Sequence, residues 1–371
     1  MDRASLRVLH VVCAGRWASE EATPAPLLRA LRTQRGLDNR IALVADGTPV
    51  AAPDDDVIVI DHRGHTLARH LRSIRTLAAL HPDVVHVHGR RERVLGTWVA
   101  LRTRSTPVYS VHEREHGVTG AWLRVLCGRM QRNVVCHSPT QGRRLAARAG
   151  LCVSVIEPGA DVRALDAQAA LPVDLALAGD GFHVAFVGPL TAEARLDMAL
   201  ATAWRLARDL SGRFHLHVFG HGETRAACEA FVHRHGLCAR VAFHGHREPL
   251  APWLARMNAL LWCADEAVTP ARVLEAMVLG VPVVARACGD VARLLGFGTR
   301  GTLVYEHAPH AYAAALGSLP AHPELARGRA AAAREHARRH CDLGRVAQRY
   351  TMLYHSLNAA RHGQSLGVCY L

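Results

Sequence analysis

The sequence contains no lysine: all 45 of its Lys+Arg positions are arginine. That absence excludes every chemistry built on a primary amine side chain, among them Schiff-base and pyridoxal enzymes, the P-loop lysine and the ATP-pairing lysine of kinases. Aromatic residues are scarce, at 5%, and no recognition motif accompanies the net charge of +13, so no nucleic-acid partner is expected. No apolar run reaches the roughly 18–20 residues of a transmembrane helix. The opening MDRASLRVLHVVCAG has a short apolar part soon followed by Arg16 and Glu20, unlike a signal peptide, and the chain is expected to be cytosolic. The ten cysteines form no C-x-x-C pair, and most lie in apolar runs, as small core residues of a reducing compartment do. Two histidine pairs, His86 with His88 and His244 with His246, could be drawn as ligands. Neither has an i, i+4 partner or a nearby cysteine pair, so no metal is expected.

What is present points to two cores. A single core rarely grows past about 250–300 residues, and this chain has 371, half of them hydrophobic. Short β-branched runs recur at Arg7–Cys13, Arg40–Val44, Val57–Ile60, Val84–His88, Val108–Val111, Val134–His137 and Val153–Ile156, most of them separated by helix-length segments. After Pro158–Gly159, residues 160–181 carry no strand pattern and are expected to be a linker. The alternation then resumes at His183–Val187, His215–Phe219, Val241–Phe243, Ala259–Cys263, Val281–Ala285 and Thr302–Val304. Such alternation predicts α/β structure: two tandem Rossmann-like domains with mostly parallel sheets, covered on both faces. Residues 1–165 and 166–340 are the expected domains. Residues 341–371 are expected to supply a C-terminal helix that packs back toward the first domain, and a tail, within a helical pattern running from 334 to 357.

Several segments resemble the retaining group 1, or family 4, glycosyltransferases of GT-B fold. They are DVVHVHG at 83–89, STPVYSVHE at 105–113, VSVIEPGAD at 153–161, FHVAFVGPL at 182–190, HLHVFGHGETR at 215–225, VAFHGH at 241–246 and, most specifically, VLEAMVLGVPVVA at 273–285. The resemblance implies a nucleotide-diphosphate-sugar donor bound mainly by the second domain, an acceptor bound mainly by the first, reaction in an interdomain cleft, and no further cofactor.

It also implies roles for particular residues. Glu275 would accept both ribose hydroxyls, two donors that suit one carboxylate; the alternative is a solvent-facing helix glutamate. Thr269 and Pro270 precede that helix, where amides and the dipole face phosphate oxygens, or simply begin a helix. The family's sugar-contacting glutamate falls on Ala267, which leaves Glu266 as a displaced replacement or an exposed loop acid. The arginine and lysine that stabilise the departing diphosphate fall on Pro189 and Ala194. Arg195 or Arg225 would then have to take their place, with guanidinium geometry in place of ammonium. Gly188, Gly220, Gly222 and Gly289 mark turns where backbone would approach the donor, or ordinary strand-end turns. His112 would lie near the transferred sugar, and Gly15, Arg16, His88 and Gly89 near the acceptor side.

Residues 1–165 hold 24 arginines against 15 acids, and the remainder 21 against 17. The basic excess on the acceptor side fits an anionic membrane surface as well as a solubilising rim. The leading expectation is a transferase acting on a cell-envelope glycan or lipid-linked acceptor, of polysaccharide or lipopolysaccharide type, in the cytoplasm or peripheral on its membrane. The alternative is a catalytically impaired relative that serves as a binding or scaffold subunit.

Overall fold

A computed structural model describes residues 5–14, 24–45, 57–61, 67–89, 92–111, 133–149, 152–173, 181–209, 214–265 and 270–363. The chain divides into two units, Met1–Gly159 with Leu343–Leu371, and Ala160–Asp342.

The first unit holds β1 (Leu6–Cys13), α1 (Ala25–Arg32), β2 (Leu37–Ala45), β3 (Val57–Asp61), α2 (Leu67–Ala78), β4 (Val84–Val87), α3 (Arg93–Thr103), β5 (Thr106–Val111), β6 (Asn133–Cys136), α4 (Pro139–Ala149) and β7 (Cys152–Val155). Its seven strands pair in parallel in the order β3-β2-β1-β4-β5-β6-β7. The near-continuous β-branched runs follow from burial on both faces. One face packs Ile74 and Leu77 of α2 with Leu95 and Val99 of α3. On the other, Leu28 and Leu31 of α1 meet Val346, Tyr350, Leu353 and Tyr354 of a C-terminal helix.

The second unit contains α5 (Val162–Ala169), β8 (Phe182–Val187), α6 (Leu196–Asp209), β9 (Phe214–Phe219), α7 (Arg225–Arg234), β10 (Val241–Gly245), α8 (Ala251–Leu254), β11 (Ala259–Trp262), α9 (Ala271–Leu279), β12 (Val283–Arg286), α10 (Gly289–Leu294), β13 (Thr302–Val304), α11 (Pro309–Ala321) and α12 (Pro323–His340). Its six strands are parallel in the order β10-β9-β8-β11-β12-β13. The last helix, α13 (Leu343–Arg361), belongs to the first unit.

All thirteen expected strands form. Two expectations need correction. Residues 160–181 are not plain linker: Asp161 Oδ1 accepts the Ala164 amide at 2.9 Å and starts α5, so the second unit begins at Ala160 rather than at 166. The helical pattern from 334 to 357 is two helices, broken at Cys341–Asp342, where Asp342 makes a parallel bridge with Ala160. The cysteines also divide more evenly than expected. Cys136, Cys228, Cys263 and Cys341 are buried, whereas Cys152 and Cys238 are exposed.

Candidate functional site

Open parallel sheets bind ligands beyond the carboxyl ends of their strands, and in the second unit those ends hold two kinds of structure. Beyond β8, β9 and β10 the loops are joined backbone to backbone. The Gly188 amide donates to Phe219 O at 3.1 Å, Leu190 to His221 O at 2.7 Å, and Gly220 to Gly245 O at 2.8 Å, while the Thr224 hydroxyl donates to Leu190 O at 2.7 Å. A Cβ at Gly220 would stand 1.9 Å from Gly188 O, and one at Gly222 would stand 2.2 Å from Leu190 O. These two glycines are therefore needed for contact between neighbouring loops, whatever binds above them. At Gly188 an added Cβ meets nothing within 4 Å.

Beyond β8, β11, β12 and β13 lies a charged cluster. Arg195, just before α6, adopts a left-handed backbone with φ +58°, a conformation costing a non-glycine residue about 1–2 kcal/mol. Its Nε and Nη2 donate to the two Asp197 oxygens, each at 3.0 Å, and its Nη1 donates to His307 Nε2 at 3.0 Å. With Nε2 accepting, neutral His307 carries its proton on Nδ1, 2.8 Å from the Tyr312 hydroxyl. Burial first, then the charges of Arg286 and Arg195, lowers the pKa of His307 and keeps this ring neutral. Burial, the largest single influence, works against ionisation of Asp197, but the hydrogen bonds and charge of Arg195 together with backbone amides outweigh it and lower the pKa.

Arg286 closes β12 and forms an ion pair with Asp265, from the loop after β11, whose amide donates to Glu193 O at 2.9 Å. The two guanidinium groups share an environment: both act on His307 and on buried Cys263, whose thiol is pushed up chiefly by desolvation. Sequence reasoning missed Arg286. The signal was present, because an arginine ends the strand that follows the EAM helix.

Glu275 lies on α9, where Arg272 Nη1 donates to both of its carboxylate oxygens at 2.9 Å. Only 21% of its side chain is exposed, so it is a half-buried, ion-paired group rather than a solvated surface acid. Pro270 occupies the N-cap of α9 with no side-chain cap, and Gly280 ends the helix in a left-handed conformation with φ +74°. Gly289 opens α10 at φ +46°. Arg225 is engaged elsewhere. Its Nε donates to Glu229 at 2.8 Å and its guanidinium carbon lies 5.8 Å from the Phe243 ring centroid, on the β9–β10 side of the sheet.

In the first unit, His88 sits in a fully buried imidazole group with His10 and His86, whose ligand-capable atoms lie within 4.8 Å of one another. His10 Nε2–H donates to Asn39 Oδ1 at 3.0 Å, and the Asn39 amide nitrogen donates to Leu31 O at 2.9 Å. That fixes the tautomer, so His10 Nδ1 accepts from His88 Nε2 at 3.0 Å. His86 bonds Tyr354 Oη at 2.6 Å and Ser110 Oγ at 2.8 Å. Next to His88, a Cβ at Gly89 would meet Glu92 Oε2 at 2.1 Å. His112, Glu266, Thr269, Gly15 and Arg16 lie outside the described residues.

Residues 181–322 match the family model described as glycosyl transferases group 1. The chain has the GT-B fold, and it is residues 181–322 of the second unit that are similar to group 1 glycosyltransferases. A D-inositol 3-phosphate glycosyltransferase of Streptomyces scabiei is 30% identical over 198 residues, 50% of this chain and 44% of that relative. One of Geodermatophilus obscurus is 28% identical over 287 residues, 69% and 63% of the respective lengths. The chain thus spans less than two thirds of either relative. Among solved GT-B structures, a Rickettsia africae glycosyltransferase superposes with TM-score 0.81 at 13% identity, covering 95% of this chain and 98% of that one. Anabaena HepE in complex with UDP gives 0.75 at 17% identity, with 95% and 100% covered. Among the described residues of this GT-B chain, no helix is long and apolar enough to cross a membrane.

Proposed function

We propose that this GT-B chain transfers a hexose-type sugar from a nucleoside-diphosphate-sugar to a glycan or lipid-linked acceptor of the cell envelope, with retention of configuration. One observation carries the reading: two arginines, each held by an exchangeable carboxylate, stand at the carboxyl edge of the sheet in the group 1 domain. Departure of a diphosphate develops negative charge, and prepositioned guanidinium groups stabilise it without reorganisation. Arg195 and Arg286 would turn from Asp197 and Asp265 to the phosphate oxygens, replacing the cations lost at Pro189 and Ala194. Glu275 would leave part of its contact with Arg272 and accept the ribose diol. The UDP bound by HepE supports a nucleotide donor, and the inositol phosphate in the relatives' names makes a phosphorylated polyol a candidate acceptor.

The test is thermal stabilisation by a panel of nucleosides and nucleoside diphosphates, followed by donor turnover. Stabilisation by a diphosphate but not by its nucleoside is expected, and Arg286→Ala should abolish it. If no nucleotide shifts melting and Glu275→Ala changes nothing, the transferase reading fails. Pro189 and the buried Ala194 then favour the second reading, a GT-B subunit that binds without catalysing.

A further inference from the structure

The outer surfaces of the first unit's helices have an unusual composition. α1, α2, α3, α4 and α13 together carry thirteen arginines and not one aspartate or glutamate. The acids flanking α2 and α3 are withdrawn: Asp83 is paired with Arg7, and Glu92 is buried. Charge alone would fit any polyanion. The α2–α3 layer differs from the opposite α1–α13 layer in what lies among its cations. Leu67 and Leu71 of α2 are 73% and 45% exposed, and Trp98 and Leu101 of α3 are 53% and 47% exposed. Each pair has helical spacing, i, i+4 on α2 and i, i+3 on α3, so each forms an outward apolar ridge. Arg72, Arg75, Arg102 and Arg104 are exposed beside them. The α13 surface offers one large apolar side chain, Met352.

We infer that the α2–α3 face docks on an anionic lipid bilayer, with Leu67, Leu71, Trp98 and Leu101 entering the interface and the arginines pairing with lipid phosphates. Bulky apolar side chains framed by cations suit a surface with an acyl boundary beneath an anionic headgroup layer. A soluble anionic glycan would leave those side chains in water. Each basic residue at such a surface is worth about 1 kcal/mol, or about five-fold in partitioning. The inference stands on the first unit alone and does not depend on the donor reading.

The experiment is co-sedimentation of the whole chain with vesicles of phosphatidylglycerol in phosphatidylcholine, and with pure phosphatidylcholine vesicles. Binding to the anionic vesicles that weakens with salt is expected. Leu71→Ser with Trp98→Ser should reduce it about ten-fold, from lost apolar burial. Arg72→Glu with Arg102→Glu should reduce it further. Arg345→Glu with Arg349→Glu, on α13, should leave it within about two-fold of the unaltered chain. All these side chains are exposed, and a melting curve confirms that each variant folds. The inference is overturned if vesicles are not bound, if the Leu71/Trp98 variant binds as the unaltered chain does, or if the α13 variant loses binding equally. Retention on heparin without vesicle binding also overturns it, in favour of an anionic glycan.

Discussion

The two units share a parallel, doubly wound plan and distribute their charged side chains differently. In the second unit, charge is paired at the strand ends: Arg195 with Asp197, Arg286 with Asp265, and Arg272 with Glu275 one helix away. Its helices carry acids as well as arginines, as at Asp166, Asp197, Glu229 and Glu335. Strands of both units bury imidazoles, but the described helices of the first unit carry arginines with no acid among them. The difference is instructive because the sheet architecture is the same. A paired guanidinium at a strand end can exchange its carboxylate for a ligand oxygen, whereas an uncompensated basic surface attracts an extended anionic partner.

The comparison breaks most sharply at Arg286. Arg286→Ala should lower donor turnover about 10²–10³-fold, the scale of removing one group that stabilises developing charge. Arg225→Ala, on the other side of the same sheet, should change it by less than about three-fold, since loss of a half-exposed ion pair is worth under about 1 kcal/mol. Equal losses in steady-state kinetics would remove the distinction between the two sides.

Glu275→Gln tests the ribose contact. It should raise KM for the donor by about 10–100-fold, the range of charge-assisted hydrogen bonds, with a smaller change in kcat. A fall in kcat alone would assign Glu275 to Arg272 and the helix rather than to the donor.

Acid sharpens the comparison between buried imidazoles. Burial lowers His10 in the first unit to about 4, against a contribution from Asn39 that raises it. In the second unit burial and the neighbouring His244, His183 and His215 lower His217 to about 4. Each folded pKa lies below the ordinary 6.5, so the unfolded chain binds more protons between those values. The stability contribution is intact above about pH 6.5 and is lost as pH falls toward 4. At pH 5 each histidine should cost about 2 kcal/mol relative to pH 7. Urea midpoints at both pH values check this. His10→Gln and His217→Gln should each flatten the pH dependence whatever their effect at pH 7.

The smallest effects concern glycines of the second unit. Gly220→Ala puts a methyl group against Gly188 O and should lower stability by about 1–3 kcal/mol. Gly328→Ala, within α12 where an added Cβ meets nothing within 4 Å, should raise it by about 0.5–1 kcal/mol. Melting temperatures distinguish the two.

Strand existence could be read in the chain because burial of a parallel strand on both faces writes itself into a continuous apolar run. Val84–Val87, Val184–Val187 and Val283–Ala285 all show it. Glu275 could be found because its surroundings, EAM with a glycine helix end, are contiguous. Arg195 stands out in the sequence by its nearness to the two vanished cations and Arg225 by its place after the next glycine turn; the fold pairs the first with Asp197 beside Arg286 and the second with Glu229. Arg286 was passed over because its meaning depends on Asp265, 21 residues earlier, and no periodicity links two strand ends.

The absent lysine means, from composition alone, that any side-chain cation in this molecule's site is a guanidinium or an imidazolium, and the alternating runs imply two parallel sheets. Tertiary structure decided which guanidinium groups meet. Parallel pairing of β8, β11, β12 and β13 brings residues as far apart as Arg195 and His307 to one edge. The same kind of convergence aligns His10 with His86 and His88, and returns α13 to the first unit, where Tyr354 bonds His86. Local sequence sets each element's period and burial. Which side chains become partners is set by sheet order, a property of the whole chain.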